Sequence, residues 1–279
     1  KYIVMMYLVR NFWQNLSSKF HYLSMDEFYD LETVTIEKIN LIRISTELNI
    51  PKETIRRKVN ELQKDNILFR EGKKITFNKK GIEFQKPTDT VELLSTFIEK
   101  KSRMMHGQDW FGDYLNKQQI KTFIKKYFTV VWLRYFKMQI PFLVRHRNTF
   151  EDLETWIVWG NIALSHQYHL HKASEKNLLK EDIKIDNYYR NVADVKIERG
   201  INASSIADIS TIPRATVIRK LKWLSKKDVI KKNKYLEYQM KNKGKLNKQI
   251  NENFKLNQNY VAEFLTDIFD YMKNSNFKI

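Results

Sequence analysis

The sequence contains no cysteine. That excludes disulfides and every zinc or iron–sulfur site built on thiolates, and it suits a reducing cytoplasm. Glycine and proline are scarce too, at seven and four. So few turn-formers argue against a loop-rich all-β fold, leave little room for a glycine-rich phosphate loop, and favour a mainly α architecture. Long apolar runs are also missing. The longest near the start, Tyr2 to Val9, spans eight residues and meets Arg10, whereas a membrane helix needs roughly 20. No small-residue cleavage site follows it, so it does not read as a secretory signal. Acidic residues are the last shortage: 32 against 50 Lys and Arg, for a formal charge of +18.

What is present is enough apolar material for folded cores, with 42% hydrophobic and 13% aromatic residues in a chain of 279. That length accommodates two modest domains. The positive charge is unevenly spread. Leu41 to Ile82 carries eleven Lys and Arg against five Asp and Glu, a net of +6, and Ala203 to Lys245 carries twelve against three, a net of +9. Those two stretches therefore hold +15 of the total, and the rest of the chain is close to balanced. Charge gathered in two places suggests a polyanionic partner contacted twice.

The two basic stretches contain one pattern. "NIPKETIRRKVNELQKDNIL" begins at Asn49, and "TIPRATVIRKLKWLSKKDVI" begins 162 positions later at Thr211. In the first copy, Ile44 and Leu48 predict a short helix from about Ser45, ended at Asn49, a residue that tolerates left-handed backbone. Ile50-Pro51 forms the turn, and Pro51 suits a first helical position, where a missing N–H costs nothing. The next helix buries Ile55, Val59 and Leu62 at i, i+4, i+7 and turns Lys52, Glu53, Arg56, Arg57 and Asn60 outward. Ile67 to Phe77 reads as two short strands around Glu71-Gly72. In the second copy Val217, Leu221 and Leu224 are the buried set, Arg214, Ala215, Ile218, Arg219 and Lys222 point out, and Val229 to Met240 supplies the hairpin.

Helix, tight turn, helix and basic hairpin is the order of a winged helix-turn-helix. Both copies resemble the winged helix-turn-helix of bacterial transcription regulators, whose core often looks like I-A-x-x-L-G-I-S-x-x-T-V-x-R-x-L-x-x-L. The matching residues are Ile44, Leu48, Ile50, Thr54, Ile55, Arg57, Val59 and Leu62, then Ile206, Ala207, Ile212, Thr216, Val217, Arg219, Leu221 and Leu224. The family's turn glycine is here Asn49 or Thr211, and Ser210 stands where leucine is usual. The resemblance implies a mainly α fold with two such domains, at residues 24–88 and 185–245. They would be joined by a central helical domain (89–184), preceded by an N-terminal helix (1–23) and followed by an amphipathic packing or dimerisation helix (246–279).

Elsewhere, Gln118 to Gln139 reads as one long helix stopped at Ile140-Pro141. A second opens with Thr149 as N-cap, its first turn acidic at Glu151, Asp152 and Glu154. A third runs from Leu246 to Lys273 with Val261, Phe264, Leu265, Ile268 and Met272 on one stripe. Trp110, Trp132, Trp156 and Trp159 fall in the central part, where aromatic helices could serve as plain core or enclose a small-molecule or protein effector.

An α-helix fits the major groove of B-DNA, about 12 Å wide, where each base pair displays its own donor and acceptor pattern. The resemblance therefore assigns base reading to Lys52, Glu53, Arg56 and Arg57, and in the second copy to Arg214, Ala215, Ile218 and Arg219, with the outward Lys222 a further DNA contact. Ile218, where the first copy has Arg56, would suit a thymine methyl or a protein partner, and reads equally well as a stray exposed aliphatic; if it and Arg56 both read bases, the two half-sites would differ. Thr54 and Thr216 read equally well as phosphate contacts or as local caps. Arg70, Lys73 and Lys74 on the first hairpin, and Lys231, Lys232 and Lys234 on the second, are assigned to phosphates or the minor groove.

The expected protein is thus a cytoplasmic, nucleoid-associated, sequence-specific regulator whose partner is double-stranded DNA. It would require no cofactor, have no membrane association, and dimerise through its C-terminal or central helices. Replication initiators, which also join two winged helices, offer an alternative, as does use of the modules for protein or RNA contacts. His166, His169 and His171 lack a nearby carboxylate other than Glu175 to complete a metal site. No carboxylate is paired with a base, so an enzyme is not expected.

Overall fold

Helix accounts for 70% of the structure, a computed structural model, and the remainder includes two small antiparallel sheets. It describes residues 1–19, 21–84, 86–106, 114–174, 192–193, 195–241 and 243–275. Trp110 and Glu175 lie outside the described residues. The chain divides into two compact units, the first made of Lys1–Pro141 with Val261–Ile279, the second of Phe142–Tyr260. Of the residues expected as a central helical domain, those up to 141 belong to the first unit and the others to the second.

The first unit opens with α1 (Tyr2–Ser18), α2 (Met25–Asp30) and β1 (Thr33–Ile36), followed by α3 (Leu41–Leu48) and α4 (Lys52–Lys64). Next come β2 (Leu68–Glu71), β3 (Lys74–Asn78) and α5 (Lys79–Glu83), then α6 (Thr88–Met105) and α7 (Lys117–Lys126). The apolar run of α1 is buried from Ile3 to Val9, because the helix lies in the interior against β1, α3 and α4. A helix apolar on every side needs such surroundings. Arg10 on α1 and Arg43 on α3 share the Glu47 carboxylate, each at 2.7 Å. The N-terminal helix is therefore part of the first repeat's core.

The strands stand in the order β1-β3-β2, with Val34 and Leu68 both opposite Phe77. β1 went unforeseen, although Thr33-Val34-Thr35-Ile36 alternates exposed or half-buried Thr with buried Val and Ile. Farther on, Trp13 meets Phe28 at 5.5 Å and Phe128 at 5.9 Å, edge to face, a favoured aromatic geometry.

The long helix expected from Gln118 is two. α7 ends before Tyr127, and α8 (Phe128–Phe150) begins immediately after. Nor does Ile140-Pro141 stop it: Pro141 sits inside α8. Thr149 is not the next N-cap, since it is still within α8 and accepts from Asn253 at 2.8 Å. Glu151 takes the left-handed backbone that reverses the chain (φ 67°). The Asp152 carboxylate then accepts from the Thr155 N–H at 2.7 Å and caps α9 (Leu153–Ser174). A carboxylate at that point has both the free amides and the helix dipole to favour it.

In the second unit α9 is followed by α10 (Ala203–Ser210), α11 (Arg214–Lys226), β4 (Ile230–Lys232) and β5 (Tyr238–Met240). Val158, Ile162 and Leu170 of α9 join Ile206, Val217, Leu221 and Leu224 in one buried cluster. α9 thus supports the second repeat as α1 supports the first. The final helix, α12 (Leu246–Asn274), has the expected bounds within a residue, and Phe264, Leu265, Ile268 and Met272 are buried; Val261 is half-buried.

Candidate nucleic-acid interface

The two repeats have matching backbones. α3 and α10 are eight residues each, α4 and α11 thirteen, and every boundary keeps the offset of 162. Asn40 and Asn202 cap the first helices, accepting from Ile42 and Arg43 N–H in one copy and from Ser205 N–H in the other. The first helix therefore starts at Leu41, earlier than the expected Ser45, because the Asn40 side chain caps it there. Both end on left-handed backbone, Asn49 at φ 50° and Thr211 at φ 57°. A β-branched threonine pays more for that conformation than asparagine does. Pro51 stands one residue before its expected place, at the N-cap, and Pro213 occupies the same position in the second copy. After α4 and α11 the chain turns again through left-handed residues, Asn66 and Asp228.

Inside each repeat the expected buried sets hold: Ile55, Val59 and Leu62 in α4, and Val217, Leu221 and Leu224 in α11 are all sealed from solvent. The opposite faces differ. On α4, Lys52, Glu53, Arg56, Arg57 and Asn60 are exposed and Thr54 is half-buried. Arg56 pairs with Glu53 at 2.8 Å, and Arg57 lies 3.9 Å from Glu61 while its side chain stays 68% exposed. Glu53, Arg56, Arg57, Asn60 and Lys64 stand around an open concavity of about 450 Å³ on this face.

On α11, Arg214, Ala215, Arg219 and Lys222 are exposed and Thr216 is half-buried. Ile218 departs from expectation: it is half-buried rather than fully outward. α11 has no acidic residue. Among its described residues Lys220 makes the ion pair, reaching Asp152 at the start of α9, with Glu154 at 3.8 Å. Arg214 donates to the Ser204 hydroxyl at 3.1 Å.

The hairpins also part company. In the first, Glu71 faces Lys74 in register, so the loop is Gly72-Lys73, one residue later than expected. Gly72 adopts φ 56°, which suits a residue with no Cβ. Arg70 is half-buried and donates to the Gly72 carbonyl at 3.0 Å. Lys73 and Lys74 are exposed, Lys74 at 3.6 Å from Glu37.

In the second hairpin Lys231, Lys232 and Lys234 are exposed, and the loop runs from Asn233 to Glu237. Asn233 closes this loop: its Oδ1 accepts from Tyr235 and Glu237 N–H, and its Nδ2 donates to the Glu198 carbonyl. The Arg199 guanidinium, helped by the Gly200 N–H and Asn233, holds the Glu237 carboxyl down at about 2. Among the described residues this repeat has, in place of a third strand, a single bridge between Ile201 and Tyr238. Arg199, Asn233, Tyr235 and Leu236 form or brace this loop and are absent from the residues expected to act here, because nothing in "NKYLE" marks which residue will form the loop's tip.

His166 is buried, with its Nε2 2.9 Å from the Val192 carbonyl, and burial pulls it down to about 4. It is a neutral core side chain. Among the described residues no three His, Asp or Glu are grouped to hold a metal ion. An apolar cavity at Trp13, Phe28, Val34 and Trp132 measures about 10 Å³, space for about one water molecule and no effector. No described helix is long and apolar enough to cross a membrane. Compared with known protein families, curated proteins and solved structures, the chain finds no match.

Proposed function

We propose that this chain is a sequence-specific, double-stranded DNA-binding regulator of transcription that reads its site with two winged helix-turn-helix domains. The observation that carries the reading is the repetition itself. One backbone, capped, turned and supported in the same way, occurs twice, and each time it presents a basic, solvent-facing helix followed by a basic hairpin. Two such surfaces hold most of the molecule's excess charge.

α4 and α11 are the recognition helices, and each enters a major groove. Arg57 and Arg219 read guanine through paired N–H donors to O6 and N7. Lys52, Glu53, Arg56, Arg214, Ala215 and Lys222 lie beside them, while the hairpin lysines contact phosphate and fix the register. The half-buried Ile218 leaves part of its side chain for a thymine methyl. The deep, narrow major groove of RNA would not admit these helices.

Selection of binders from a random DNA pool, followed by footprinting, tests the proposal. We expect two unequal half-sites, with Arg57→Ala and Arg219→Ala each losing roughly 1–3 kcal/mol of specific affinity while the fold is retained. A selection that yields no enriched site, or two arginine variants that bind the selected site unchanged, would refute it.

A further inference from the structure

Leu236 is out of place by two measures. It sits in left-handed backbone at φ 64°, where leucine is strained and Gly or Asn would not be. It is also 66% exposed, at the tip of a loop whose backbone is otherwise well satisfied. Asn233 N–H donates to the Glu237 carbonyl at 2.8 Å, and Leu236 N–H donates to the Asn233 carbonyl at 3.1 Å. Behind the tip, Tyr235 is held by its hydroxyl on Glu198 at 2.9 Å, with the Arg199 and Lys234 cations over its ring at 5.1 and 4.9 Å.

The loop is thus braced, and beside Tyr235, which is also exposed but tethered by its hydroxyl, it presents Leu236 to solvent. The surroundings of that side chain are cationic: Lys231, Lys232 and Lys234 are exposed, the Glu237 carboxylate is bound to Arg199, and Glu198 is the acidic group engaged by Tyr235. A rigid apolar tip amid lysines matches the wedges that proteins drive between base steps in the minor groove. The first hairpin has no counterpart at its tip, since its loop is Gly72-Lys73; its exposed apolar residue, Phe69, sits within β2.

We infer that Leu236 is such a wedge, inserting into the minor groove beside the half-site read by α11 and kinking the duplex there. This rests on the DNA-binding reading above. The lysines would anchor the hairpin on the flanking phosphates, so that insertion occurs at one fixed step. Because the other hairpin lacks a wedge, the bend would be one-sided, marking the orientation of the protein on its site.

The test uses the full chain and a duplex recovered from the selection, with 2-aminopurine placed in turn at each step flanking the half-sites, and with end-to-end energy transfer to report bending. Wild-type protein should brighten one position and bend the duplex by an angle within about 20–90°. Leu236→Gly relieves the backbone strain, so it should fold at least as stably as wild type, yet lose both the brightening and the bend; Leu236→Phe should keep them. Equal brightening and bend in Leu236→Gly would overturn the wedge. So would wild-type binding, weakened by Arg219→Ala, with no brightened step, and that outcome would leave the recognition helices standing. No duplex binding by wild type at low salt would remove both.

Discussion

The two repeats share a backbone and little of their outer chemistry. α4 carries acids that engage its own arginines, Glu53 with Arg56 and Glu61 near Arg57. α11 carries none and commits one cation, Lys220, inward to the cap of α9. The first repeat has a three-stranded sheet and a tight hairpin, whereas the second has two strands, a bridge and a longer braced loop. The comparison separates what the architecture requires from what varies on it. Required are a capping Asn, a left-handed exit, a proline and three apolar positions. The residues between them are free to specialise.

Core truncation should break both repeats alike and most severely. Leu62 and Leu224 hold equivalent, fully buried places, so Leu62→Ala or Leu224→Ala should each cost about 2–5 kcal/mol in urea unfolding. A large difference between them would mean that the two cores are not equivalent.

Acid should tell the repeats apart. In the second unit His146 and His166 are both held down at about 4, first by burial. Arg145 donates to Asn257 Oδ1, leaving the Asn257 amide N–H to donate to His146 Nε2, which must therefore be unprotonated. Because the folded pKa values lie below the unfolded value of about 6.5, this stabilisation is present above that pH and is lost as pH falls toward 4. The loss should be on the order of 2 kcal/mol per histidine at the lower end. His21 and His106, in the first unit, are exposed. Residue-resolved hydrogen exchange between pH 7 and 4 should show the second repeat opening first, and simultaneous opening would contradict the assignment.

Binding should be similarly unequal. Arg57 has Glu61 as an alternative partner, while Arg219 has no carboxylate on its own helix. Within the roughly 1–3 kcal/mol expected for a base-reading arginine, Arg219→Ala should therefore lose more affinity than Arg57→Ala in titrations at one salt concentration. Replacing Lys231 or Lys232 by Ala should reduce the slope of log affinity against log salt by about 1 each, uniformly across sequences.

The smallest effect concerns the turns. Thr211 and Asn49 share left-handed backbone. Thr211→Gly should stabilise the second repeat by about 1 kcal/mol, and Asn49→Gly should change the first by only a few tenths, measured by thermal unfolding. A destabilised Thr211→Gly would show that the threonine side chain contributes something the backbone does not reveal.

Much of this was legible in the sequence because its demands are local. Proline, the residue before it and the i, i+4, i+7 apolar set were visible together, and the repeat multiplied the signal. What was missed depended on distant partners or on competition between neighbours. Tyr127 divides a continuous helical pattern by taking non-helical backbone, at φ −107° and ψ 38°. Thr149 was a plausible cap until the chain reversed at Glu151 and left the position to Asp152. Pro141 is tolerated inside α8 despite its missing N–H. The roles of α1 and α9 as supports were hidden because a helix's apolar stripe does not say what it will cover. The charge pattern pointed to the exposed helices, while the braced tip at Leu236 depends on Arg199 and Glu198, far upstream of the loop.

The constant offset between the helix pairs has a practical corollary. Residues 52–64 and 214–226 have the same length, the same entry and the same exit. They are natural cassettes: transplanting one into the other's seat should transfer its sequence preference, with Glu61 against Trp223 and Lys58 against Lys220 as the places where the seat itself needs adjustment.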